Sequence, residues 1–374
     1  MKKLRSAAPI IAADLPIDVI PCILSHLPVK SVLRFKCVSK SWRSLISHPH
    51  FKRLHLLHSH NSANQVFVLR NPAMHYSFCD ATFFDDLISE HSTQIQLPFR
   101  RHLRLCDGVI VCSCDGLLLL RDLYGQLILL NPSTEEQRKL PKVENYYSDS
   151  ISDGYDLGYD SSSDDYKLLL RRLRFNPVIT RNIMILSLKT NCWRKVKDFR
   201  HNPNTKNAIN LNGFLNWLQN SSARGKIVCF SLANETTTEM EHPRRYSNYG
   251  HGLRSLGVLQ GCLCLTETRR AAQSIAQSMT VWIMKEFGVT SSWMKLITVP
   301  QRPGDYAMDL TIPLPLHHIS KIVFLIDDTS RAAAHMLLII DLEAQNYRFI
   351  KIANVQKYML LTGLTFSRSL ISPN

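Results

Sequence analysis

The side chains in this sequence that could do chemistry are paired cysteines, clustered histidines and a run of acids. Cys112/Cys114 and Cys262/Cys264 are two residues apart, the spacing that puts both side chains of a pair on one face of a strand. Zinc would need four convergent ligands, and the nearest histidines are not spaced for it. The pairs are therefore read as core packing, and no metal site is expected. His48, His50, His55, His58 and His60 crowd one stretch, and His317 and His318 follow "PLPL". Such clusters can act as ligands or acid–base groups, but imidazoles on a basic surface helix and linker are the commoner case. The run "ENYYSDSISDGYDLGYDSSSDD" (144–165) holds six aspartates without the ordered D-x-D-x-D-G loop and closing glutamate of a calcium site. It reads as a solvated loop, or as a negative lip that selects partners by charge. No G-x-S-x-G, P-loop or H-E-x-x-H occurs, so a non-enzyme without a cofactor is expected.

A second stretch points to recognition. "EHPRRYSNYGHGLRS" places Arg244, Arg245, Tyr246, Tyr249 and His251 in a loop between two strand-like units. Arginine and tyrosine are favoured at hot spots because they join large contact area to directional hydrogen bonds. These five are the candidate substrate-binding residues. The same set could contact RNA or form an ordinary surface loop.

The elements that must hold these residues differ along the chain. Its 374 residues are 45% hydrophobic and 20% charged, near average globular composition, which argues against wholesale disorder. The ten cysteines lack any C-x-x-C pair, which suggests a reducing compartment, cytoplasmic and/or nuclear. "MKKLRSAAPIIAADLP" only faintly imitates a signal peptide, because its apolar run is short, holds Pro9 and stops at Asp14. No run reaches the roughly 18 apolar residues of a membrane span, so no membrane partner is expected. The net charge is +15, and residues 1–60 hold ten Lys/Arg against Asp14 and Asp18. The basic excess is thus mostly at one end, and the acidic run at 144–165 could not line a nucleic-acid track.

From Leu15 to about His58 apolar residues follow helical spacing, in stripes around Ile20–Leu27, Val32–Val38 and Trp42–Ile46. Asp14 is a candidate cap, Pro16 suits a first turn, Pro28 forces the chain out of the first helix, and Ser39 caps the third. Pro21 is read as a bend tolerated one turn into the first helix. Three helices and a fourth around His50–Leu57 are expected. About 45 residues cannot bury so many large apolar side chains by themselves at useful stability. Part of that surface must meet something else, either a partner or the rest of the chain.

After about residue 60 the texture changes to short β-rich runs such as "NQVFVL", "GLLLL", "KIVCFSL" and "MLLIIDL". A weak repeat of strand, polar turn and aromatic-bearing strand has its turns near Pro132, Thr190, Asn234, Val289 and Glu343, at intervals of 58, 44, 55 and 54 residues. That period, with several strands per unit, is the pattern of a β-propeller of about six blades, with a two-sheet sandwich as the alternative. Strands in 64–105 would supply one blade, and "LLTGLTFSRSLI" would close the ring against it. The fold class is α+β by domain: a flexible segment 1–13, a small helical domain 14–58, and an all-β, propeller-like domain 59–374.

"LPIDVIPCILSHLPVKSVLRFKCVSKSWRSLISHPHFKRLHL" resembles the F-box of plant F-box proteins. Downstream, "CDGLLLL…NPSTEEQRKLP", "LGYDSSSDDYKLL", "LKTNCWRKV", "LNGFLNWL", "GVLQGCLCL" and "VWIMKEFGVTSSWMKL" resemble the F-box-associated, kelch-related domain that follows it. The likeness covers almost the whole chain from residue 14, and the order of motifs makes it specific. Cys22 stands where the family often has an acid, and Asn216 where "NGxLHWL" has a histidine. The segments 144–163 and 269–278 depart furthest. Some chains with this order resemble the S-locus F-box proteins of self-incompatibility.

The resemblance implies the substrate receptor of a Skp–cullin–F-box ubiquitin ligase, docking on a Skp-type adaptor and through it on cullin, and holding an unknown protein substrate. Leu15 and Pro16 would be the main adaptor anchors, supported by Ile20, Leu24, Leu27, Pro28, Val29, Leu33 and Val38. Trp42 and Leu45 would instead hold the helices together. The competing classes are a propeller enzyme, which would need inward-facing charged or metal-binding residues in several blades, and a basic RNA-binding protein.

Overall fold

The computed structural model of the chain describes residues 19–58, 65–70, 76–80, 94–95, 108–143, 150–176, 178–197, 199, 208–219, 226–243, 254–270, 277–300, 310–314, 321–327, 335–352 and 364–374. Four helices come first: α1 (Val19–Ser25), α2 (Val29–Phe35), α3 (Lys40–Ser47) and α4 (Pro49–His58). Pro21 is the third residue of α1, where its missing N–H has no intrahelical partner to lose. Pro28 is extended, and its carbonyl accepts from Ser31 and Val32 to start α2. Ser39 caps α3 through its Oγ, which accepts from the Trp42 amide at 3.1 Å.

These helices share a core of Leu24, Val29, Val32, Ile46 and Phe51, joined by the distant Leu370. Trp42 packs edge-on to Phe35 at 5.6 Å and, with Leu45, lines that core, as expected of them. His55 is completely buried, its Nε2 donating to the Leu27 carbonyl at 2.9 Å. The expectation of a solvated histidine cluster is corrected at this position, because the ring sits where α4 faces the end of α1.

The rest is β. The strands β1 (Gln65–Arg70), β2 (Tyr76–Asp80) and the short β3 (Gln94–Ile95) precede the blades. Blade 1 is β4 (Gly108–Cys114), β5 (Leu117–Asp122), β6 (Leu127–Asn131) and β7 (Glu136–Lys139). Blade 2 is β8 (Ser150–Asp160), β9 (Asp165–Asn176), β10 (Val178–Ser187) and β11 (Cys192–Lys195). Blade 3 is β12 (Ile209–Leu211), β13 (Phe214–Gln219), β14 (Lys226–Ser231) and β15 (Thr237–Glu241). Blade 4 is β16 (Arg254–Leu259), β17 (Cys262–Arg270), β18 (Gln277–Met284) and β19 (Trp293–Pro300). Blade 5 is β20 (Leu310–Leu314), β21 (Lys321–Asp327), β22 (His335–Asp341) and β23 (Asn346–Ile352), and β24 (Leu364–Ser367) follows.

Each blade is an antiparallel meander in sequence order, and β3 extends blade 5 by pairing parallel to β23. β24 returns to β1, giving the three-stranded sheet β2–β1–β24, so the expected closure of the β domain by "LTFS" is found. The propeller class holds, while the count of about six blades is corrected to five four-stranded blades plus this smaller closing sheet. The five hairpin turns match the five blades, and the surplus came from assigning a blade to 64–105, where the described strands supply two members of that sheet and one added edge.

All five turns singled out in the sequence join the third and fourth strands of a blade. In blades 1, 2 and 3 the residues Glu135, Asn191 and Glu235 have positive φ and donate to the carbonyl four residues back, so one turn geometry recurs. The hairpins Asp115–Gly116, Asn212–Gly213 and Gln260–Gly261 have positive φ at both central residues, the tight turn whose twist matches paired strands.

Alternation along each strand feeds two neighbours. In β5, Leu117 and Leu119 enter the core shared with Leu168 and Leu170 of blade 2, whereas Leu118 meets Val66 and Val68 of the closing sheet. Strands of this kind are buried on both faces and read as unbroken hydrophobic runs. Cys112 and Cys114 lie in the first of these cores and Cys264 in the core between blades 4 and 5. Burial pushes the Cys264 thiol up to about 12.

Candidate functional site

After the helices fill their own core, apolar side chains remain in solvent. Val19 is 39% exposed, Ile23 46% and Val38 61%. Of the residues expected to meet an adaptor, Val38 and Pro28 are exposed, while Ile20, Leu27 and Leu33 are half-buried at the edge of the core. Leu24 and Val29 are buried inside it, so the expectation that they face a partner is corrected. Helical spacing marks an apolar stripe but not which edge of a wide stripe turns inward. Leu15 and Pro16 lie outside the described residues. Val19 and Ile23, not singled out from the sequence, are exposed, and their separation of four residues puts them on one edge of α1.

The meander topology sorts the connections by end. In every blade the turns from first to second and third to fourth strand lie at one end, here called proximal, and the others at the opposite, distal end. The helices sit at the proximal end. Arg53 of α4 donates to Asp115 Oδ2 at 2.9 Å and to the Tyr166 hydroxyl at 3.1 Å, and its guanidinium lies over the ring of Tyr159. Tyr166 in turn donates to Asp115 at 2.8 Å. Burial, helped by the Asp115 carboxylate, pushes the Tyr166 phenol far up, so it remains a donor.

The acidic run does not form a loop over 150–165. It forms β8, a turn and the start of β9, and three of its aspartates are buried and paired. Asp156 accepts from Arg171 Nε at 2.7 Å. Asp165 accepts from Ser187 Oγ at 2.5 Å and from the Lys189 amide at 2.9 Å. Asp160 pairs with Lys167 at 2.9 Å. Burial alone would raise the Asp160 carboxyl, yet bonds from Ser162, Ser163 and Lys167 hold it well below the usual carboxylate range. The charges of Asp156, Asp160 and Asp165 are spent inside the blades and add nothing to a negative lip, whereas Asp164 is exposed; residues 144–149 lie outside the described residues.

Arg244, Arg245, Tyr246, Tyr249 and His251 also lie outside the described residues; of the elements that flank them in sequence, β15 ends and β16 begins at the distal end. A described distal feature is the β5–β6 turn, where Leu123 and Tyr124 are 73% and 89% exposed. Asp122 Oδ1 accepts from the amides of Tyr124 and Gln126 at 2.9 and 2.7 Å, and Gly125 supplies the positive φ. The turn is therefore built to hold two large side chains out. Sequence reasoning passed over this pair because "DLYGQ" carries no signal beyond a turn.

Asn216, which replaces the family's histidine, is buried on β13 and donates through Nδ2 to the carbonyls of Ile209 and Phe214 at 3.0 and 3.2 Å. Asn216 thus supplies a donor inside blade 3. Among the described residues no group of three or more His, Cys, Asp or Glu is arranged to hold a metal ion.

Comparison with known proteins agrees with this architecture. An F-box domain matches residues 13–54 and an F-box associated beta propeller domain residues 65–372. An F-box/kelch-repeat protein of Arabidopsis thaliana is 30% identical over 309 residues, 77% of this chain and 80% of that protein. The F-box protein CPR1 of Arabidopsis thaliana is 27% identical over 320 residues, 78% of this chain and 74% of its own. Helices with an unfilled apolar edge, a propeller joined to them at its proximal end, and these two matched domains lead to one conclusion: the chain belongs to the plant F-box proteins that carry an F-box associated β-propeller domain.

Proposed function

We propose that this chain is the substrate-recognition subunit of a Skp–cullin–F-box ubiquitin ligase, working in the cytoplasm and/or nucleus. The observation that carries the reading is the set of apolar side chains, Val19, Ile23 and Val38, left in solvent once the helical core is complete. An F-box that must seat in a Skp-type adaptor needs such a surface, with basic residues at its rim. Lys40 and Arg43 are exposed on α3, soon after Val38 in sequence. The chain supplies no chemistry; it holds a bound protein near the ligase's catalytic partner, and proximity raises the rate of transfer.

Substrate contact belongs to the distal end. Leu123 and Tyr124 project there, and in sequence Arg244, Arg245, Tyr246, Tyr249 and His251 lie between the distal end of β15 and the distal start of β16. A bound protein would then face away from the adaptor. Degradation of the captured protein follows from its ubiquitination.

Co-purification with a plant Skp-type adaptor tests the reading. The full chain should capture the adaptor, and Ile23→Asp/Val38→Asp and Leu15→Ala/Pro16→Ala variants should lose it while the β domain stays folded. Capture unaffected by both double variants, or absent from the full chain, would overturn it.

A further inference from the structure

Between α4 and β1 the covalent connection is residues 59–64, and six residues can span up to roughly 20 Å. Covalently joined modules move relative to one another unless their contact is apolar and well packed. α4 makes part of that contact, with Leu56 in the core shared by blades 1 and 2 and Arg53 on Asp115; the end of the chain makes the rest.

Residues 368–374, which follow β24, run along the proximal end of blade 1 and are held there by blade 1 side chains. The buried Asn131 donates through Nδ2 to the carbonyls of Ser369 and Ile371 at 3.0 and 2.6 Å. Arg138 donates to the Pro373 carbonyl at 3.3 Å, and Ser372 Oγ donates to Glu136 at 2.5 Å. Ile371 enters the core shared by blades 1 and 2. Leu370, its neighbour, is buried among Leu24, Val29, Val32, Ile46 and Phe51 of the helices. Adjacent residues of one segment therefore lie in two different cores.

The fit of this segment is close. A Cβ on Gly116 would stand 2.3 Å from Ser369 Oγ and 2.5 Å from the Ser367 carbonyl oxygen. The proximal hairpin that carries Gly116 also carries Asp115, which receives Arg53 from α4. Segment, hairpin and α4 are thus locked around one point.

We infer that residues 368–374 are a positioning strap, in which Leu370, acting with Leu56 and Arg53 of α4, sets the orientation of the helical module on the propeller. The helical core is incomplete without Leu370, and Asn131 anchors the backbone on either side of it. Its consequence for ubiquitin transfer, a fixed distance between adaptor and captured substrate, rests on the receptor reading above. The mechanical role does not.

Spectroscopic probes placed by unnatural amino acids at the exposed Lys40 of α3 and Lys295 of β19 report the angle in the full chain. The wild-type distance distribution should be single and narrow. Leu370→Ala, Asn131→Ala and deletion of 368–374 should each at least double its width, and Leu370→Met should restore it. Hydrogen exchange in blades 3 and 4 should stay at the wild-type rate in the two point variants. An unchanged width in Leu370→Ala, a broad distribution in the wild type, or faster exchange throughout all blades in the point variants would each overturn the strap. Adaptor capture, measured in parallel on the wild type, decides the receptor reading separately.

Discussion

The guanidinium carbon of Arg53 lies 3.1 Å from the centroid of the Tyr159 ring. A helix of one module is thereby fastened to the second blade of the other by a cation resting on an aromatic face. The same group donates to Asp115 and Tyr166, so its planar fork and its charge are both used. Part of the basic excess at residues 1–60 is therefore consumed inside the molecule.

Replacing Arg53 by alanine should lower unfolding free energy by about 2–4 kcal/mol, combining a partly desolvated cation–π contact with charged hydrogen bonds. Arg53→Lys should recover only a minor share, since an ammonium cannot lie flat on Tyr159 and reach Asp115 together. Denaturant titration of both variants and of Asp115→Asn, arranged as a double-mutant cycle, should give a coupling of about 1–3 kcal/mol. Additivity of the two changes would refute the clamp.

Stability should fall with acid through His55. Burial, the largest influence, lowers its pKa from the ordinary 6.5, and the nearby His58 adds to the effect, against the bond to the Leu27 carbonyl. Below pH 6.5 the unfolded chain then takes up the proton more readily than the native one, so native stability drops as pH falls toward the lowered value. His55→Gln, which keeps a donor for Leu27, should flatten the slope between about pH 6.5 and 5. A slope identical to wild type would remove His55 as its source.

Thiol reactivity should divide by burial. Cys22, Cys37 and Cys192 are exposed, whereas Cys112, Cys114, Cys229 and Cys264 are buried. Burial raises the pKa of all four buried thiols, which lowers the thiolate fraction that alkylates. Iodoacetamide at pH 8 should label the first three and spare the other four until denaturant is added. Mass spectrometry of tryptic peptides reads the outcome, and native labelling at Cys112 or Cys264 would contradict the blade cores.

Two glycines in equivalent hairpins should respond differently to alanine. Gly116 and Gly261 have φ of 85° and 73°, so both changes carry backbone strain, about 1–2 kcal/mol. A Cβ at Gly261 meets nothing within 4 Å, whereas at Gly116 it strikes Ser369 and Ser367. Gly116→Ala should therefore cost at least about 1–3 kcal/mol more, the range for forcing extra atoms into a packed site. Equal melting temperatures for the two variants would show that the strap yields without cost.

What the sequence determined by itself is local. Helical spacing, Ser39 as a cap, Pro28 as a break and five recurring polar turns are properties of neighbouring residues, and each is found where the pattern placed it. The propeller class followed because strand length and turn spacing repeat along the chain. The tertiary structure alone decided which apolar residues face outward, since Leu24 and Ile23 are equally hydrophobic and differ only in what packs against them. It also decided that Asp156, Asp160 and Asp165 turn inward to partners as distant as Arg171 and Lys189, so these three acids, which read as solvated, are structural. Leu370 is the clearest case: its burial against Leu24 and Val29 joins residues more than three hundred positions apart, and no period in a sequence reports a contact made only when the last strand returns to the first.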